Sequence, residues 1–103
     1  MYTVEATFKT AFASKYLQQL CKHFAHKVSV EFTPEKGEVQ FPFGFCCIQA
    51  NGDELSFAAR TDELKKTEMV KGVIDSHLVK FAWREDVALD WHVTEIAADT
   101  AAS

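Results

Sequence analysis

A chain of 103 residues with 48% hydrophobic side chains suits one small globular domain and is too apolar for a disordered one. It carries 11 Lys+Arg against 15 Asp+Glu, a formal net charge of −4. With only Arg60 and Arg84 as arginines, it offers no obvious clustered base for a nucleic acid. No apolar run reaches the roughly 18–20 residues of a membrane span, and the first residues lack the basic-then-apolar pattern of a signal peptide. Cys46 and Cys47 are adjacent and only Cys21 remains, which is no disulfide framework. The expectation is a cytoplasmic domain with neither a membrane nor a nucleic acid as partner.

Residues 2–9 alternate, with Tyr2, Val4, Ala6 and Phe8 on one side, and predict a half-buried strand. Ser14 is placed to cap a helix from Lys15 to about Lys27, with Leu17, Leu20, Cys21, Phe24 and Val28 on its apolar arc. Val28, Val30 and Phe32 then alternate as a strand, and Pro34-Glu35-Lys36-Gly37 is turn chemistry. Residues 38–41 return, with Val39 and Phe41 inward, and residues 45–50 follow.

Asn51-Gly52 predicts a hairpin in which Ile48 faces Leu55 and Cys46 faces Phe57. Inward positions are then odd at Val39 and Phe41 but even at Cys46 and Ile48. Pro42-Phe43-Gly44 supplies the break in register that this change demands. A second helix is capped by Thr61 or Asp62 and runs to about Phe81, its apolar face formed by Val70, Val73, Ile74, Leu78 and Phe81. His77 falls inside that face. Residues 88–94 alternate as a last strand, with Leu89, Trp91 and Val93 inward.

The order is read as β-α-β-β-β-α-β. That order predicts an α+β fold: a mostly antiparallel sheet with two helices packed on one face. Residues 1–96 form the domain, and small, polar residues 97–103 form a flexible C-terminal tail. Of the 9 Phe, Phe8, Phe24, Phe32, Phe41, Phe57 and Phe81 fit the core. Phe43 and Phe45 are candidates for an interface patch on the helix-free face, including one that pairs two copies as a homodimer.

His77 on an apolar helix face reads either as a core histidine bonded to a backbone or carboxylate partner, or as a ligand or proton-transfer group in a pocket. His23 and His26 stand three apart on the first helix and read as surface histidines unless His23 faces His77. In that case His23, His26 and His77 are the candidate metal ligands. Cys46-Cys47 has the wrong spacing for a metal or redox pair. Arg84 and Glu85 either cap a helix end or stand at the mouth of a pocket, where Arg84 suits an anion. His23, His77, Arg84 and Glu85 are therefore the candidate ligand-binding residues. No Gly-rich phosphate loop, nucleophile elbow or His-Glu-x-x-His helix is present, and no complete catalytic set is visible.

Several separated segments resemble a bacterial family known as domain of unknown function 2218. They are Ala13-Ser14-Lys15-Tyr16-Leu17-Gln18-Gln19-Leu20-Cys21-Lys22-His23-Phe24-Ala25-His26-Lys27-Val28, Phe41-Pro42-Phe43-Gly44, Ser76-His77-Leu78, Phe81-Ala82-Trp83-Arg84-Glu85 and Leu89-Asp90-Trp91. The similarity covers about residues 3 to 93. The family has Arg where Lys15 stands and often Phe where Trp83 stands. The resemblance implies a fold but no activity. It also implies an association with siderophore-interacting proteins, and so with iron or metal handling.

Three functions are expected from this reading. The first is a non-catalytic binding or accessory domain engaging a metal, an anionic small molecule or a protein. The second is an enzyme with His77 as acid or base and Arg84 as anion binder. The third is a structural homo-oligomer.

Overall fold

The computed structural model describes residues 1–85 and 87–96. The 97–103 tail expectation lies outside the described residues. Among the described residues six strands and two helices appear in the order β1 (Tyr2–Lys9), α1 (Ala13–Phe24), β2 (Ser29–Phe32), β3 (Lys36–Phe41), β4 (Gly44–Asn51), β5 (Glu54–Thr61), α2 (Leu64–Phe81) and β6 (His92–Glu95). One antiparallel sheet carries them in the order β2-β3-β4-β5-β1-β6. Both helices lie on one face, α1 over β2 to β4 and α2 over β1 and β5. The α+β class therefore holds. No helix among the described residues is long and apolar enough to cross a membrane.

The strand alternation survives folding intact. Val4, Ala6 and Phe8 of β1, Val39 and Phe41 of β3, Cys46 and Ile48 of β4, and Leu55, Phe57 and Ala59 of β5 are buried beneath the helices. Ala13, Tyr16, Leu17, Leu20, Cys21 and Phe24 of α1 meet them, with Val70, Ile74 and Leu78 of α2.

The structure corrects several expectations. Phe41 pairs with Gly44, so Pro42 and Phe43 are the two residues of a chain reversal. A two-residue loop exchanges inward parity without any bulge, and the strands between the helices number four rather than the three of the expected order. Ile48 pairs with Phe57 and Asn51 with Glu54, so the next hairpin slips by two from the expected register. Its loop is Gly52-Asp53, with φ +66° at Gly52, the glycine-first pattern of a type II′ turn.

Ser14 is not the cap of α1. It lies inside the helix, where its hydroxyl donates to the Pro34 carbonyl at 2.6 Å. Helix α2 begins at Leu64, because Thr61 ends β5 and donates to the Glu63 carbonyl. The last strand is shorter than expected. Only residues from His92 pair with β1, while Leu89 and Trp91 pack on the core from irregular chain.

Candidate functional site

The helices run antiparallel across the sheet, and their seam gathers most of the residues singled out above. Phe12, Tyr16, Gln19 and His23 recur at spacings of four, three and four. At about 100° per residue they fall on the edge of α1 that meets α2. Val73, His77 and Phe81 form the facing edge of α2.

The middle of the seam is aromatic. The His23 and His77 rings lie 4.6 Å apart between centroids. His77 also meets Phe24 edge-on at 5.0 Å, Phe24 meets Phe41 at 5.0 Å, and Phe41 stacks on Phe43 at 5.0 Å. Phe81 closes the other end, 5.9 Å from His23. His77 Nδ1 lies 2.6 Å from the Val73 carbonyl. A carbonyl only accepts, so Nδ1 carries a proton and donates.

His23 is half-buried, and its pKa falls below the ordinary 6.5. Burial is the main cause, followed by the positive fields of His77, Lys80, Lys27 and His26. His26 itself is exposed. Among the described residues no group of three or more His, Cys, Asp or Glu side chains is placed to hold a metal ion. The imidazole pair thus has no third ligand there, and the set His23, His26 and His77 does not converge.

Arg84 and Glu85 stand elsewhere. Seven residues separate His77 from Arg84, about 10 Å along the chain at helical rise. The four candidate ligand residues therefore divide between two places, with Phe81 as their shared neighbour. At the N-terminal end of α1, a groove of about 370 Å³ lies between Phe12, Lys15 and Tyr16 on one side and Phe81, Trp83, Arg84 and Glu85 on the other. That volume is within the roughly 300–1,000 Å³ of small-molecule sites.

The Glu85 carboxylate organises its floor. One oxygen accepts from the Tyr16 hydroxyl and, at 2.9 Å, from the Thr10 hydroxyl. Burial and the adjacent carboxylate push the Tyr16 phenol up to about 12, so it remains a donor at all physiological pH. The clamp fixes the turn that presents Trp83 and Arg84. Trp83 is 70% exposed and carries the Arg84 guanidinium 4.8 Å from its ring centroid. Phe12 is 53% exposed, with the Lys15 ammonium 5.6 Å from its ring. Two exposed rings, each with its own cation, thus line one groove.

Sequence reading missed Thr10, Phe12, Lys15 and Tyr16. The four-three-four stripe on α1 was the available signal for Phe12 and Tyr16. It also missed the charge segregation. Residues 6–30 contain no Asp or Glu, and neither do residues 76–84. Lys15 and Lys22 project outward from α1, and Lys27 just after α1 and Lys80 on α2 lie near enough to His23 to lower its pKa. Among the described residues none of these, nor Arg84, is ion-paired, whereas Lys36, Lys65, Lys66 and Lys71 are. Base is clustered on this face after all.

The helix-free face is mixed in charge, because Lys9, Lys36 and Arg60 share it with the acids. Register places Glu5, Ala58, Cys47, Glu38 and Glu31 in one row across it, with His92 beside Glu5. A hollow of about 620 Å³ lies there among small polar side chains such as Thr7 and Ser56. Phe45 lies on this face, but Phe43 packs on Phe41 on the helix side, so the two form no single apolar patch. Adjacent Cys46 and Cys47 point to opposite faces, and burial drives the Cys46 thiol up to about 12.

The chain matches, over residues 5–92, the model of a family described as "Uncharacterized protein conserved in bacteria (DUF2218)". It is also similar to the NMR structure of PA4090 from Pseudomonas aeruginosa, at 28% identity and a TM-score of 0.76. That likeness covers 89% of this chain and 96% of the other. No curated protein matches it. A family model spanning β1 to β6 identifies the chain: it belongs to the bacterial family of uncharacterized proteins DUF2218.

Proposed function

We propose that this protein is a non-catalytic binding domain whose recognition face is the α1–α2 seam, and that its ligand is anionic. One observation carries the reading. Among the described residues of a chain of net charge −4, Lys15, Lys22, Lys27, Lys80 and Arg84 have no ion pair, and they share one face with two exposed aromatic rings. Cations without partners beside solvent-exposed rings suit an incoming carboxylate or phosphate on an apolar body. The geometry favours binding over catalysis, because His77 spends one nitrogen on the Val73 carbonyl and does not line the groove with Arg84.

The test is an amide chemical-shift titration with benzoate and, separately, with inorganic phosphate. Shifts concentrated at Phe12, Lys15, Trp83 and Arg84, and abolished by R84Q combined with W83A, are expected. Shifts confined to Glu5, Cys47 and Ser56, or none at all, overturn the proposal.

A further inference from the structure

The groove accounts for Lys15 and Arg84 but not for the rest of the basic face. Lys22 lies about 10 Å beyond Lys15 at helical rise, and Lys27 further still. No ligand seated in a groove of about 370 Å³ reaches them. Helix α1 has 12 residues, so the seam is about 18 Å long. An extended peptide covers that distance in about six residues.

Building on the anionic-ligand reading, we infer that the seam docks a short acidic segment of another protein. An apolar or aromatic side chain of that segment enters the groove between Phe12 and Trp83. Its carboxylates run along Lys22, Lys27 and Lys80.

Two features favour a peptide over a nucleic acid. The net charge of −4 repels a polymer whose phosphates extend past the basic face, whereas a short segment meets only the local field. The acids on α2 fall on its other edge, where Glu68 pairs with Lys71 and Asp75 accepts from the Trp91 indole at 2.9 Å. The seam is thus a bounded strip rather than a basic surface. Among the described residues Glu85 is the one carboxylate lining the groove, and the Tyr16 and Thr10 hydroxyls already occupy it.

The experiment is fluorescence anisotropy of the intact protein against a labelled octapeptide of Glu and Asp around one Phe. Its Gln/Asn counterpart and an oligothymidylate of equal charge are the controls. The acidic peptide binds, the neutral one does not, and affinity falls about tenfold both in K22E/K27E and on raising salt from about 0.05 to about 0.3 M. Lys22 and Lys27 are exposed, so the fold persists, as circular dichroism verifies; K80Q serves as an independent variant.

Equal or tighter binding of the oligothymidylate overturns the inference. So does a silent peptide. If the peptide is silent while benzoate still shifts Trp83 and Lys15, the anionic-ligand reading stands and only the peptide falls. If neither moves the seam, both fall.

Discussion

Two side chains on the seam carry measurable consequences alone. Tyr16 is buried and donates to the Glu85 carboxylate, which also holds Thr10. Hydrogen bonds to charged groups contribute about 1.5–3 kcal/mol, so Tyr16→Phe should lower unfolding free energy by about 1.5 kcal/mol, read by urea denaturation at pH 7. The Tyr16 phenol ionises near 10 when unfolded and at about 12 when folded. A raised folded pKa contributes stability that is complete below pH 10 and lost as pH climbs toward 12. The native protein should therefore lose stability across that window relative to Y16F. A constant difference between the two would show that the phenol is not held protonated.

His23 works in the opposite sense. Its folded pKa lies below 6.5, so its contribution is complete above that pH and lost on acidification. His23→Gln should flatten the acid limb of the stability profile. Parallel limbs in the two proteins would contradict the assignment.

At the scale of elements, the approach of α1 to the sheet rests on a missing side chain. Gly37 of β3 is buried, and a Cβ there would overlap Cys21 Sγ on α1. Gly37→Ala should cost about 1–3 kcal/mol as an overpacked contact. Cys21→Ala removes the colliding sulfur and should recover part of that loss in the double mutant. Additive effects in the cycle would mean that the two positions do not touch.

The same level shows what sequence could and could not convey. Period-two burial at Val4, Ala6 and Phe8 and period-3.6 burial at Val70, Ile74 and Leu78 were legible, because side-chain direction follows directly from local geometry. The hairpin register was not. A slip of two residues keeps every side chain on its own face, so Ile48 opposite Phe57 and Ile48 opposite Leu55 satisfy the same hydrophobic pattern. Pro42-Phe43 was ambiguous for a related reason, since a bulge and a two-residue reversal both exchange parity. The Ser14 cap failed because the Pro34 carbonyl, twenty residues away, claims that hydroxyl. At the site, His77 and the Trp83-Arg84-Glu85 run stood out as residue types. The pairing of Glu85 with Tyr16 and Thr10 depends on tertiary contacts 69 and 75 residues apart, which no local pattern encodes.

For the whole molecule, the average charge and its distribution make opposite predictions. The chain carries −4 with its 4 histidines neutral, and its pI is near 5.5. An evenly mixed surface would have least self-repulsion near that pH, and added salt would screen mostly attractive pairs there. The segregated surface behaves otherwise. Lys15, Lys22, Lys27, Lys80 and Arg84 share the helix face and repel one another, while Glu5, Glu31 and Glu38 lie across the sheet. The exposed pairs Lys66–Asp62 and Lys71–Glu68 on α2 are of the kind worth at most about 1 kcal/mol and offset little. Raising salt from about 0.02 to about 0.5 M shrinks the Debye length from about 20 Å to about 4 Å and relieves the seam. The urea midpoint at pH 5.5 should therefore rise with salt, and rise less in K80Q, which removes one cation near His23. A midpoint that falls with salt at pH 5.5 would mean that acids elsewhere on the molecule offset the charge of the seam. The basic strip would then be too weakly separated to select an anionic partner.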